Sequence, residues 1–133
     1  MAGRIRTIKP EFWTSESITE LSIPARLLFI GMWNFFDDAG NHPASAKTLK
    51  FLIYPNGEFT TEQVTSMIAE LIAQGLLIAY AGADDKAYWH ITGWAQHQRI
   101  DRPNYRYPAA PNSSNSRRTV VERSATNRPR KGV

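Results

Sequence analysis

The residues able to move protons or hold metals are few in this chain. Its 133 residues include three histidines and no cysteine. Without cysteine there is no thiolate nucleophile, disulfide framework or thiolate-bound metal. His42, His90 and His97 show neither HxxxH nor HExxH spacing. His90 alternates with Tyr88 and Thr92, which predicts a hydrogen-bonded strand residue rather than a ligand. Asp37-Asp38 offers two carboxylates to a hard cation, but acids leading into Ala39-Gly40-Asn41 more often build a turn. Tyr54-Pro55-Asn56-Gly57 lacks the following Lys-Ser/Thr of a phosphate loop, and no nucleophile elbow occurs. The expectation is a protein that is not an enzyme, with no catalytic residue, metal or cofactor.

Cationic chemistry is better supplied, and it is unevenly placed. Sixteen Lys+Arg against 12 Asp+Glu give a formal charge of +4. Residues 1–10 carry Arg4, Arg6 and Lys9 with no acid. Residues 11–93 hold ten acids and only Arg26, Lys47, Lys50 and Lys86. Residues 94–133 hold nine bases against Asp101 and Glu122. A −6 middle therefore lies between flanks of +3 and +7. Within the second flank, Arg99, Arg102 and Arg106 alternate with His97, Tyr105 and Tyr107. Interleaved bases and aromatic rings suit single strands, where bases stack on ring faces. An arm such as Arg4–Lys9 can lie along a phosphate backbone or enter a minor groove.

The elements that would position these groups are legible in outline. Ser22 and Pro24 predict a helix start. The run Ala25 to Phe36 is apolar almost all round, as in a helix central to a core. Asp37 to Pro43 reads as a turn, Ala44 to Ile53 as a short second helix, and 54–57 as another turn. Thr60-Thr61-Glu62-Gln63 fits a capping box. Val64, Met67, Ile68, Leu71 and Ile72 follow as a core-facing stripe that Gly75 ends. Leu76–Tyr80 and Ala87–Ile91 read as strands joined by the loop 82–86. Residues 11–21 suggest a small leading helix. From Pro108 onward no Leu, Ile, Phe, Trp or Tyr occurs. Such a segment cannot offset the ~1–2 kcal/mol that ordering each residue costs, and is expected to be a disordered basic tail. If about six of its bases released counterions, the slope of log affinity against log salt would steepen by roughly five.

The order helix, short helix, helix, hairpin predicts an α+β winged helix-turn-helix: a three-helix core with a β-hairpin wing. The expected divisions are a basic arm at 1–10, the winged-helix domain at 11–100, a basic and aromatic extension at 101–107, and the tail at 108–133. Thr61–Gln74 then takes the recognition-helix place.

Two strings carry a family resemblance. Arg6-Thr7-Ile8-Lys9-Pro10-Glu11-Phe12-Trp13, with Leu21-Ser22 and Ala25 to Asn34, is similar to the opening of phage and prophage winged-helix proteins. Asp37-Asp38-x-Gly40 and Trp94-x-x-His97-Gln98-Arg99-Ile100-Asp101-Arg102-Pro103 fit the same pattern. The chain thus resembles, over about residues 4–103, the amino-terminal domains of phage replication initiators and replisome organisers. The resemblance implies DNA binding in phage replication initiation, inside a bacterial host cytoplasm. Replication proteins of this type commonly continue into a helical domain that engages the helicase or its loader, and that domain has no counterpart in this sequence.

DNA-contacting candidates are Arg4, Arg6, Lys9, Lys47, Lys50, Thr61, Gln63, Thr65, Lys86, Arg99, Arg102, Tyr105 and Arg106. The recognition helix contributes only Gln63 and hydroxyls to base reading, because it has no base and Glu62 repels phosphate. The flanks are therefore expected to hold the backbone of duplex or single-stranded DNA. A transcriptional regulator is one alternative. Another is a module that binds a host or phage protein, such as a helicase loader or defence complex, through the acidic Glu62, Glu70, Asp84 and Asp85. The leading segment offers a surface for a homodimer. No apolar run reaches the ~18 residues of a membrane span, so no membrane partner is expected.

Overall fold

A computed structural model describes residues 3–111. It is an α+β fold in which five α-helices pack with a three-stranded antiparallel sheet, an arrangement compatible with a winged helix. A 3₁₀ turn at Pro10–Thr14 leads into α1 (Glu16–Thr19), a single helical turn. Residues 11–21 are thus two short pieces rather than one helix, because Ser15 adopts an extended ψ of 132° between them.

Helix α2 spans Ile23–Phe35. The Ser22 hydroxyl accepts the Ala25 amide and Pro24 lies in the first turn, so the expected start is realised. Ala25, Leu28, Phe29, Met32 and Trp33 are buried at i, i+3, i+4, i+7 and i+8. Phe36 continues the core in extended backbone just past the helix end. Helix α3 (Ala46–Ile53) is capped by Ser45 and buries Leu49. It begins two residues later than expected. The preceding residues Asn41–Pro43 form strand β1, where turn-forming residue types conceal an edge pairing.

Helix α4 (Thr61–Ala73) has both bonds of its capping box, Gln63 amide to Thr60 Oγ1 at 3.1 Å and Thr60 amide to Gln63 Oε1 at 2.8 Å. Val64, Met67, Ile68 and Leu71 are buried against α2 and α3, but Ile72 at the stripe's edge is 43% exposed. Gly75 adopts φ +72° and the Leu76 amide returns to the Leu71 carbonyl, closing the helix. Strands β2 (Leu77–Ala81) and β3 (Ala87–Ile91) form a hairpin in which Leu77 faces Ile91 and Ala81 faces Ala87. Strand β3 lies in the centre, between β1 and β2. Helix α5 (Trp94–His97) follows and buries Trp94.

The ordered chain runs past the start expected for the tail. Tyr80 donates its hydroxyl proton to the Pro108 carbonyl at 2.7 Å, and Ala110 is buried. A half-buried aromatic partner on β2, far off in sequence, is what holds 108–111. Residues 112–133, which carry the rest of the expected tail, lie outside the described residues. Among the described residues, no helix is long and apolar enough to cross a membrane.

Gly40 has φ +81°, and a Cβ there would lie 2.7 Å from Cγ of Trp94. Gly40→Ala combines left-handed strain with overpacking against a buried indole. It is expected to cost about 2–4 kcal/mol in urea unfolding. Gly57→Ala, at a site with φ +77° but open space, is expected to cost clearly less.

Candidate nucleic-acid interface

The carboxylates that the sequence presents as a turn are the point where both flanks meet the domain. Asp37 is buried and accepts four backbone amides. Ala39 (2.9 Å) and Asn41 (3.0 Å) reach Oδ1, and Arg106 (2.9 Å) and Tyr107 (3.1 Å) reach Oδ2. The first pair is the Asx turn expected of this segment. The second pair ties down the extension about seventy residues later. Burial pushes the Asp37 carboxyl above the ordinary carboxylate value, and the amides of Asn41, Arg106, Ala39 and Tyr107 act against that rise.

Asp38 serves the other flank as well. Its Oδ1 accepts Arg6 Nη1 at 2.9 Å. Its Oδ2 accepts Arg4 Nη1 at 2.9 Å and the Asn104 amide at 2.8 Å. Burial again acts upward, but the Asn104 amide, the Arg6 hydrogen bond and the charges of Arg6 and Arg4 outweigh it and hold the carboxyl below its ordinary value.

Arg6 therefore departs from the free arm expected at 1–10. Its side chain is only 4% exposed. Nε donates to the Trp33 carbonyl at 2.8 Å and Nη2 to the Phe36 carbonyl at 2.9 Å, while the guanidinium lies 4.9 Å from the centre of the Trp94 ring. It thus satisfies orphan carbonyls at the C-terminal end of α2, where a cation is also favoured by the helix dipole. An arginine in a basic run has no local signal for such a role, because its carbonyl partners and Asp38 lie about thirty residues away.

Two further contacts zip the flanks together. The Gln98 carboxamide accepts the Thr7 amide at 3.2 Å and donates to the Thr7 carbonyl at 2.9 Å, as a strand neighbour would. Lys9 Nζ donates to the Gln96 carbonyl at 3.0 Å. The two strings that carried the resemblance are thus in direct contact along one seam. The Trp94 indole adds a bond to the Asp38 carbonyl at 2.9 Å.

The remaining candidates divide by location. Arg4 has a half-exposed side chain, and with Arg106, Asp37, Asp38 and Asn104 it lines a pocket of about 130 Å³. Arg106 is exposed, its guanidinium 5.6 Å from the Tyr107 ring centre and 3.3 Å from the Phe35 carbonyl. Lys9, Arg99, Arg102 and Tyr105 are also exposed on the joined flanks. Tyr107, by contrast, packs inward against His42 and Tyr88.

Helix α4 sets its polar groups to internal tasks. Gln63 closes the capping box, and the Thr65 and Ser66 hydroxyls donate to the carbonyls of Thr61 and Glu62. Thr61 and Glu62 are exposed in its first turn. Glu70 receives both the amide and the hydroxyl of Ser22, and Asp84 receives the Tyr88 hydroxyl and the Lys86 amide. Of the acidic face, this leaves Glu62 and Asp85 exposed without such bonds among the described contacts. Lys47, on α3, and Lys86, in the hairpin loop, are exposed, and Lys50 is half-buried. These three do not adjoin the seam in sequence or through any hydrogen bond found.

His42 on β1 and His90 on β3 are buried. His90 Nδ1 meets Asn41 Oδ1 at 2.7 Å, and burial pushes its pKa down to about 4. His42 stacks on Phe36 at 5.0 Å, and burial lowers its pKa too. Among the described residues, no group of three or more His, Cys, Asp or Glu is placed to hold a metal ion. No protein-family profile, curated protein or solved structure matches the chain.

Two stability effects follow. Asp38→Asn leaves Arg6 as an uncompensated buried cation and is expected to cost about 3–5 kcal/mol in chemical unfolding. Because the folded pKa of Asp38 is depressed, its contribution is complete above the unfolded value of 3.8 and is lost as pH falls through the folded value. The gap between variant and parent should therefore narrow below that pH. His90 is also depressed, so its contribution is full above 6.5 and declines as pH falls towards about 4. A His90→Gln variant should show a shallower loss of stability across that window, by up to about 1.4 kcal/mol per pH unit.

Proposed function

We propose that this protein is a winged-helix nucleic-acid-binding module of phage type, acting in DNA replication initiation, that grips phosphate backbone with its joined flanks rather than with its recognition helix. One observation carries the reading. The amino-terminal segment and the carboxy-terminal extension are zipped at Asp38, Thr7–Gln98 and Lys9–Gln96, so their exposed cations share one surface. Arg4 and Arg106 line one pocket there, and Lys9, Arg99 and Arg102 are exposed along the same two segments. Arg4 and Arg106 keep most of their guanidinium donors for a ligand, as neither makes more than one side-chain hydrogen bond. A phosphate oxygen between them meets two planar, permanently charged donors, the chemistry that favours arginine over lysine.

Helix α4 supports the same division of labour. It offers no base, and Gln63, its best base reader, already holds the helix start. The resemblance of the two seam strings to phage replication initiators is what favours replication over transcriptional regulation.

The test is a salt series of binding to duplex and single-stranded DNA. The full chain should bind with a negative log–log salt slope. The double variant Arg4→Ala/Arg106→Ala should bind more weakly and lose about two from the magnitude of that slope, near 0.9 per duplex phosphate contact. Gln63→Ala should leave the slope unchanged. An intact protein that fails to bind at low salt sinks the proposal, and favours the protein-binding alternative through Glu62 and Asp85.

A further inference from the structure

Next to the seam lies a cavity of about 370 Å³. Phe12, Phe29, Trp33 and Trp94 contribute to its walls, and Lys9 and Gln96 to its rim. We propose that it receives an unpaired nucleobase, with an adjoining phosphate held by Lys9. This rests on the nucleic-acid reading above but is separable from it by experiment.

Four observations converge. The volume is within the ~300–1,000 Å³ of small-ligand sites and exceeds what one planar base needs. The walls include four aromatic rings, and ring faces stack on bases of any sequence. The Trp33 indole N–H is buried with no hydrogen-bond partner. Such a donor costs stability until an acceptor reaches it. A hydrocarbon chain or a phenylalanine ring fills apolar space but supplies no acceptor. A nucleobase brings an apolar face together with carbonyl and ring-nitrogen acceptors. Finally, both flanks line the cavity, Thr7 and Lys9 from one and Gln96 and Gln98 from the other. A strand whose phosphates follow the seam passes its mouth.

Three side chains set the details. Phe12 stands edge-on to Trp33, with ring centres 5.4 Å apart and planes at 85°. It belongs to the 3₁₀ turn, which has no buried residue, so of the four rings it is the one not fully buried in the core. Lys9 uses one of its three ammonium donors on the Gln96 carbonyl and keeps the others for phosphate. Glu11 also reaches the rim, which confines the phosphate to the Lys9 side. A paired base is not available to such a cavity without unstacking, so the ligand is single-stranded.

The experiment compares four probes on the full chain: a short oligodeoxyadenylate, an abasic oligomer with the same number of phosphates, the corresponding duplex, and AMP. Affinity is read by anisotropy or competition, and the cavity by the Trp33 indole N–H resonance in nitrogen-15 spectra. The oligodeoxyadenylate should bind about ten- to a hundredfold more tightly than the abasic oligomer, as one or two stacked bases supply. It should also move the Trp33 resonance, and AMP should move the same resonance. If AMP binds as tightly as the oligomer, the base site stands and free nucleotide is its source. Ser15→Phe, which fills the cavity from its edge, should abolish the preference over the abasic oligomer while leaving abasic binding unchanged. Lys9→Ala, which removes the ammonium group together with its bond to the Gln96 carbonyl, should weaken AMP while the Thr7–Gln98 contacts keep the seam closed.

Equal affinity for the two oligomers with an unmoved Trp33 resonance overturns the base site and leaves the backbone reading intact. Loss of all oligomer binding overturns both. A Trp33 shift from N-acetylphenylalanine amide as large as that from AMP also overturns the base site, and makes the cavity a socket for an apolar side chain.

Discussion

Asp37 and Asp38 are the constraint on which the rest of this small domain depends. Two adjacent carboxylates leave a helix end with seven polar contacts between them, from one loop and two distant segments. Burying a carboxylate is costly unless donors surround it, and here backbone amides and two guanidiniums do so. The same bonds that satisfy the acids fasten the chain's two flanks. A device that in sequence looks like a turn thus fixes where residues 4–9 and 96–107 run. Arg6 completes it from the other side by capping the carbonyls of α2, with Trp94 covering its guanidinium face.

This arrangement redistributes charge in a way that bears on function. A chain with separate basic ends would offer two unrelated patches. Joined along one seam, the ends bring Arg4 and Arg106 to one pocket and Lys9 to a second, larger cavity lined in part by aromatic rings. Arg6 is the charge that leaves the surface, because it is matched internally by Asp38. The hairpin loop and α4, by comparison, put their polar groups to work on their own backbone. Capping, back-bonding hydroxyls and the Tyr88–Asp84 contact are all bonds within these elements.

Legibility in the sequence followed the range of the interactions. The Ser22 cap, the Thr60–Gln63 box, the stripe from Val64 to Leu71 and the Gly75 stop are all set within a few residues, and each is found in the structure. The β2–β3 hairpin is local too, and differs from its expected bounds by one residue on β2. Strand β1 was not legible. Asn41, His42 and Pro43 are turn formers by type, and only pairing to Tyr88–His90 makes them a strand. The tail was expected to start at Pro108, yet 108–111 is held by Tyr80 across nearly thirty residues.

The charge partition, the absence of cysteine and the succession of α2, α3, α4 and the β2–β3 hairpin were determined by the sequence alone, because each is a count or a local pattern. Which arginine is a surface group and which is a buried strut was decided only by the tertiary structure. Arg4, Arg6 and Arg106 are alike in type and stand in similar basic runs. Their roles separate because the Arg6 guanidinium is buried between the end of α2 and Asp38, while Arg4 makes a single bond to Asp38 and Arg106 a single bond to the Phe35 carbonyl from more exposed positions. That distinction depends on partners thirty to seventy residues away, beyond the reach of any local periodicity.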